Sequence, residues 1–160
     1  QLSHKNYKQV VKSVETSKEW PENLGVGKPY DNMIDNRLED YLEAKAAAGQ
    51  GDSRKTSALL AALADYTISR SHVESGNLLS ALALRESGKV QEADHMVAAW
   101  STDFPENRVV QWCTAIYRGE KEKAVGMLQS RNDQTNTTPW EASFRDSNFD
   151  LIVRLFSTEQ

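Results

Sequence analysis

The sequence predicts an all-α fold made of antiparallel helix pairs stacked one on the next. Three observations predict it. Apolar residues recur at three- and four-residue spacing along nearly the whole chain, the mark of amphipathic helices. Clean alternation of apolar and polar residues, which a strand needs, is hard to find. Third, Gly88-Lys89-Val90-Gln91-Glu92-Ala93 matches Gly119-Glu120-Lys121-Glu122-Lys123-Ala124 at an offset of 31 residues. A period of thirty-odd residues, two helices and two tight turns long, marks a helical solenoid.

The first helix is expected over residues 6–18, with Tyr7, Val10, Val11 and Val14 on one face. It stops before Trp20-Pro21, because a residue ahead of proline is pushed out of the helical region. Residues 22–29 hold two glycines and a proline and read as a connector. A second helix over residues 32–48 carries Ile34, Leu38, Tyr41, Leu42 and Ala46, and Gly49-Gln50-Gly51 ends it. Ser53 is placed to cap the third helix, which carries Leu59, Leu60, Leu63 and Tyr66. After a polar break at residues 69–75, a fourth helix spans residues 76–86 and stops at Gly88. The fifth spans residues 90–102 and ends before Phe104-Pro105. The sixth spans 108–117 and ends at Gly119, and the seventh spans 121–128. Polar residues 130–138 read as a loop, and a last helix carries Phe149, Ile152, Val153, Leu155 and Phe156.

These residues resemble the tetratricopeptide repeat family. The best copy covers residues 75–105, with Leu79, Ala81, Leu82, Leu84, Gly88, Ala93 and Phe104-Pro105 at the family's positions. The resemblance implies that Ala81 meets Ala93 across a close helix contact, with Gly88 as the inter-helix turn. Residues 106–130 resemble a second copy, although bulky Trp112 stands where a small residue belongs. Residues 32–71 resemble a degenerate copy with a longer turn. Residues 5–21 are similar to the second helix of a partial repeat, and residues 139–160, with Arg145-Asp146-Ser147-Asn148-Phe149, to a capping segment. The whole of 1–160 thus reads as one helical-repeat domain, and the resemblance implies a short right-handed superhelix with a concave face. The family's groove positions fall on Asn36, Glu39 and Glu43 in the degenerate copy. In the best copy they fall on Ser75, Leu78, Leu82 and Arg85.

A second resemblance rests on residues 20–29, Trp20-Pro21-Glu22-Asn23-Leu24-Gly25-Val26-Gly27-Lys28-Pro29. They are similar to a connector in large bacterial proteins that place tetratricopeptide repeats behind carbohydrate-type β-sandwich domains. The chain opens on Gln1 instead of methionine, and the expectation is a piece of a longer protein.

Composition narrows the function classes. Of 160 residues, 39% are hydrophobic and 26% charged, which is the balance of a folded globular domain. The net charge of −4 divides into about +2 over residues 1–30, −5 over 31–105 and −1 over the rest. No basic stripe stands out, so nucleic acid is not an expected partner. No apolar run approaches the ~20 residues of a membrane span. Compartment stays open between cytoplasm and periplasm. Cys113, the single cysteine, sits in an apolar stretch and reads as a buried thiol.

Catalytic chemistry finds little support. Gly25-Val26-Gly27-Lys28 suggests a phosphate loop, but Glu22 and Pro29 stand where that loop needs glycine and a hydroxyl. His4, His72, His95 and Cys113 are too scattered for a metal site, and no strained serine elbow accompanies a triad. No cofactor is expected. The acidic Glu39, Asp40 and Glu43 read as a solvated helix face or a surface for a basic ligand. The four tryptophans, Trp20, Trp100, Trp112 and Trp140, read as packing residues in preference to a sugar platform.

The expected function is therefore a non-catalytic interaction or intramolecular scaffolding module. Its partner is a protein or peptide segment, or an upstream domain of the same chain. The alternative is an accessory C-terminal domain of a larger bacterial carbohydrate-active enzyme, with catalysis elsewhere.

Overall fold

A computed structural model describes residues 7–18, 35–69, 74–133 and 148–157. Among the described residues there are eight α-helices and no strand. They are α1 (Tyr7–Lys18), α2 (Arg37–Gln50), α3 (Ser53–Ser69), α4 (Gly76–Glu86), α5 (Val90–Asp103), α6 (Arg108–Tyr117), α7 (Lys121–Asp133) and α8 (Phe149–Ser157). The all-α class expected from the sequence is what the chain adopts.

From α1 to α7 each helix packs on the next in the chain, and α4 also touches α2 and α6. These three make a row with α4 at its centre. The position explains its composition: Gly76 to Leu84 are all buried, as befits a helix apolar on every side. One apolar core runs from Leu38 and Leu60 through Leu79, Val97 and Val109 to Phe149 and Ile152. Trp100, Trp112 and Cys113 belong to it. A smaller cluster of Val10, Val14 and Ala46 fastens α1 to α2.

Three helix pairs are joined by the same turn. Gly51, Gly88 and Gly119 follow α2, α4 and α6 with φ of 80°, 82° and 74°. In each turn the glycine N–H donates to the carbonyl three residues back, as from Gly88 to Arg85 at 3.1 Å. The next residue donates five back, as from Lys89 to Leu84 at 2.9 Å. This double bond pattern is the Schellman motif, which requires a left-handed residue and so favours glycine. The residue after each glycine then starts the following helix, its carbonyl accepting from Thr56, Ala93 or Ala124.

Several element boundaries differ from expectation, each for a local reason. Asp35 and Asn36 are not helical, so α2 begins at Arg37. Asp35 Oδ1 accepts from the Arg37 backbone N–H at 3.0 Å, a local bond that competes with helix formation. Gly49 remains inside α2, and the left-handed terminator is Gly51. A Cβ on Gly49 would lie 2.3–2.7 Å from the Tyr7 ring, so this glycine serves the approach of α1. Ser53 is the first residue of α3, and the cap is Asp52, whose Oδ1 accepts from the Lys55 N–H at 3.0 Å. Helix α7 continues five residues beyond the expected end, to Asp133. Polarity is no stop signal, and no glycine or proline interrupts residues 127–133. The connector of residues 20–29, the loop at 134–138, the Arg145-Asp146-Ser147 part of the capping segment, His4, His72, Trp20 and Trp140 lie outside the described residues.

Candidate functional site

Two residues expected in a groove, Leu82 and Arg85, meet at a cleft of about 190 Å³. Four helices form it. Leu82 and Arg85 come from α4, Trp112 and Ile116 from α6, Lys121, Ala124, Val125 and Leu128 from α7, and Phe156 and Ser157 from α8. Leu82, Trp112 and Ala124 are buried and form the apolar floor. Arg85 and Lys121 are exposed and bring positive charge to its edge.

Arg85 is held in place by one residue. Its Nη1 donates to the Tyr117 carbonyl at 3.0 Å, and its guanidinium carbon lies 4.8 Å from the Tyr117 ring centroid. The carbonyl is one that the end of α6 leaves without an intrahelical partner. Tyr117 is fixed in turn, its hydroxyl donating to Asp94 Oδ1 at 2.8 Å. Burial and then the bond to Asp94 push the Tyr117 hydroxyl up to about 12, against a smaller opposing effect of Arg85. Among the described residues neither Arg85 nor Lys121 meets a carboxylate.

The other expected groove residues lie elsewhere. Ser75, just ahead of α4, and Leu78 within it are fully enclosed. Asn36 precedes α2, half-buried, its carbonyl accepting from the Asp40 N–H at 2.8 Å. Glu39 is half-buried, with Oε2 enclosed and unpartnered among the described residues. Glu43 is 8% exposed and receives Lys18 of α1 at 2.9 Å and Lys55 of α3 at 2.8 Å. Burial opposes its charge, but the hydrogen bonds from Lys55 and Lys18 outweigh it and hold the carboxyl below the ordinary carboxylate range. It is a junction between helices and not a solvated face.

For the α2 residues the register accounts for the difference, whereas Ser75 and Leu78 are counted from a true turn glycine and are enclosed because α4 lies at the centre of the row. Asn36, Glu39 and Glu43 stand as far before Gly49 as Ser75, Leu78 and Leu82 stand before Gly88. Counting from the true turn glycine, Gly51, gives Leu38, Tyr41 and Lys45 instead. A two-residue shift is about 200° around a helix, which moves a residue to the opposite face.

Sequence reasoning also missed Arg37. It is buried at the start of α2, bonded to Asp35 at 2.7 and 2.9 Å, to Glu74 at 2.7 Å and to Asn77 at 2.6 Å, and lies over the Tyr66 ring. Gly76 makes room for it, since a Cβ there would stand 2.5 Å from the guanidinium. That cluster is structural: one buried guanidinium ties the start of α2 to Glu74 and to Asn77 of α4.

A wider groove of about 550 Å³ follows the small side chains Ala48, Ser57, Ala61 and Ala64. Two of its charges are already engaged, Glu86 with Lys45 at 2.6 Å and Lys89 with Glu92 at 3.6 Å. Of these two, the smaller cleft combines an apolar floor with cations that no carboxylate meets among the described residues. Among the described residues no group of three or more His, Cys, Asp or Glu is placed to hold a metal ion. No described helix is long and apolar enough to cross a membrane.

No protein-family model, curated protein or solved structure matches the chain.

Proposed function

We propose that the chain is a non-catalytic protein-interaction module, built as a short tetratricopeptide-like array of three helix pairs. What supports the architecture is the same glycine turn repeated at Gly51, Gly88 and Gly119, with α4 touching the first helix of both neighbouring pairs. Solenoids of this kind present extended surfaces built from successive repeats. In this reading α1 is the second helix of a partial pair and α8 closes the far end.

The observation that carries the interaction role is the cleft beside Arg85. Its buried apolar floor, beside cations that meet no carboxylate among the described residues, has the features of a pocket that receives an anchoring side chain from a partner. The test is a photo-crosslinking amino acid at Val125, a cleft residue 40% exposed. Irradiation in lysate of the source organism is expected to yield a discrete conjugate that is lost when the crosslinker sits at Ala58, on the exposed side of α3. Equal labelling from both positions, or none from Val125, would remove the support for this surface.

A further inference from the structure

Resting on that interaction-module reading, we infer that the cleft takes a partner segment in which one large apolar side chain stands beside a side-chain carboxylate. The apolar group enters over Leu82, Trp112 and Phe156, and the carboxylate pairs with Arg85 and Lys121.

Size is the first argument. A pocket for a drug-sized molecule spans roughly 300–1,000 Å³. At about 190 Å³ this cleft is smaller, and holds about six water volumes of ~30 Å³ each. That is room for one aromatic or branched aliphatic side chain, which is how a protein partner anchors itself.

Charge is the second. Lys18, Lys45, Lys55, Lys89 and Lys123 each meet a carboxylate within the chain. Lys12, Arg54, Arg108 and Arg118 meet none among the described residues, and neither do Arg85 and Lys121, although the chain as a whole is acidic at −4. Arg85 and Lys121 come from different helices, α4 and α7, and converge on the same cleft. A cation pair at the edge of an apolar pocket selects an anion with an apolar neighbour through complementary charge.

Preorganisation is the third. Arg85 spends one N–H on the Tyr117 carbonyl and rests on the Tyr117 ring, so its position is set before a ligand arrives. The remaining guanidinium donors suit the planar, two-oxygen geometry of a carboxylate. Fixing the donor beforehand lowers the entropy lost on binding.

The experiment is selection of phage-displayed random dodecapeptides on the intact chain. Each peptide is fused to the coat protein through its C-terminus, so only side-chain carboxylates are presented. Enriched sequences are expected to place Asp or Glu within three residues of Phe, Leu, Ile, Met or Trp. A labelled representative should bind about tenfold more weakly when its acid is changed to the amide, and also to Lys121→Gln. Lys121 is exposed, so that variant keeps the fold. Arg85→Gln is compared at matched melting temperature, and raised salt should weaken wild-type binding. Enriched peptides without an acid, undiminished binding to both variants, or no enrichment would overturn the inference. If one of these occurs while Val125 still crosslinks a partner, the module reading stands and only the partner's chemistry is wrong. If the crosslink fails as well, both fall.

Discussion

The rings of Trp112 and Phe149 stand at 83° to one another with centroids 5.3 Å apart, an edge-to-face pair that ties α8 to α6. Both residues are fully buried. The terminal helix thus supplies an edge contact to Trp112, the largest fully buried side chain among the described residues. Phe149→Ala should cost about 3–5 kcal/mol, combining lost burial with a cavity at the end of the core. Leu151→Ala, on the same helix but 48% exposed, should stay within about 0.5 kcal/mol of wild type. Urea unfolding of the two variants checks this, and equal costs would mean that α8 is not anchored through Phe149.

The three turn glycines give a second prediction. A Cβ at Gly51, Gly88 or Gly119 would meet nothing within 4 Å, so the penalty for alanine is purely conformational. Left-handed strain costs about 1–2 kcal/mol for an L-residue, partly offset by a stiffer unfolded chain. Each Gly→Ala variant should lose about 1 kcal/mol, and the three losses should agree closely. A much larger loss at one turn, seen by chemical denaturation, would show that its glycine has a further task.

Glu43 gives a prediction in acid. Its carboxyl is held below the ordinary 4.5 by Lys55 and Lys18 against the effect of burial. A depressed value means stability that is full above 4.5 and is lost as pH falls through the folded value. Breaking a buried pair costs about 3–5 kcal/mol. Lys18 and Lys55 are partly exposed, so the expected loss for Glu43→Gln at pH 7 is smaller, about 1–3 kcal/mol. Thermal melts at pH 7 and pH 3.5 should show the gap between wild type and variant closing in acid. A gap that persists there would mean that packing, and not charge, is what Glu43 supplies.

Tyr117 gives the corresponding prediction in base. Its hydroxyl is pushed from the ordinary 10 up to about 12 by burial and by Asp94. A raised value means stability that is full below pH 10 and declines as pH climbs toward 12. Tyr117→Phe should lose about 1 kcal/mol at pH 7 with the Asp94 bond and flatten the alkaline decline. Lys18 and Lys55 also have raised values, through Asp40 and Glu43, but they remain in both proteins and drop out of the difference. Ultraviolet titration of tyrosinate in the folded chain is the direct check, and a full change complete by pH 10.5 would refute it.

Much of the fold is legible in the residues. Helices α4 and α6 fall where periodicity and glycine place them, because each ends at one glycine with nothing ambiguous beside it. The turn after α2 is different. Gly49 and Gly51 are equally good terminators as letters, and only the packing of Tyr7 against Gly49 assigns the left-handed conformation to Gly51. That one ambiguity turned the expected acidic groove to the opposite face. The cap at Asp52 was hidden by the equally plausible Ser53 next to it. The cleft did leave a trace in the sequence. Neither Arg85 nor Lys121 has an acid three or four residues away on its own helix, so each was free to serve a contact between helices. Burial of Arg37 left no such trace, since Asp35 beside it is unremarkable and Glu74 and Asn77 are some forty residues distant.

Cys113 lies fully enclosed in α6, the helix whose Trp112 meets α8 through Phe149. A thiol reagent can reach it only when that region comes apart, so the chain carries its own opening sensor. Under conditions where reclosing is fast, the labelling rate reports the free energy of the opening that exposes it. Fluorescence from the four tryptophans would mix signals from separate parts of the chain. A single sulfur instead distinguishes transient release of the C-terminal end from unfolding of everything, with no engineered probe.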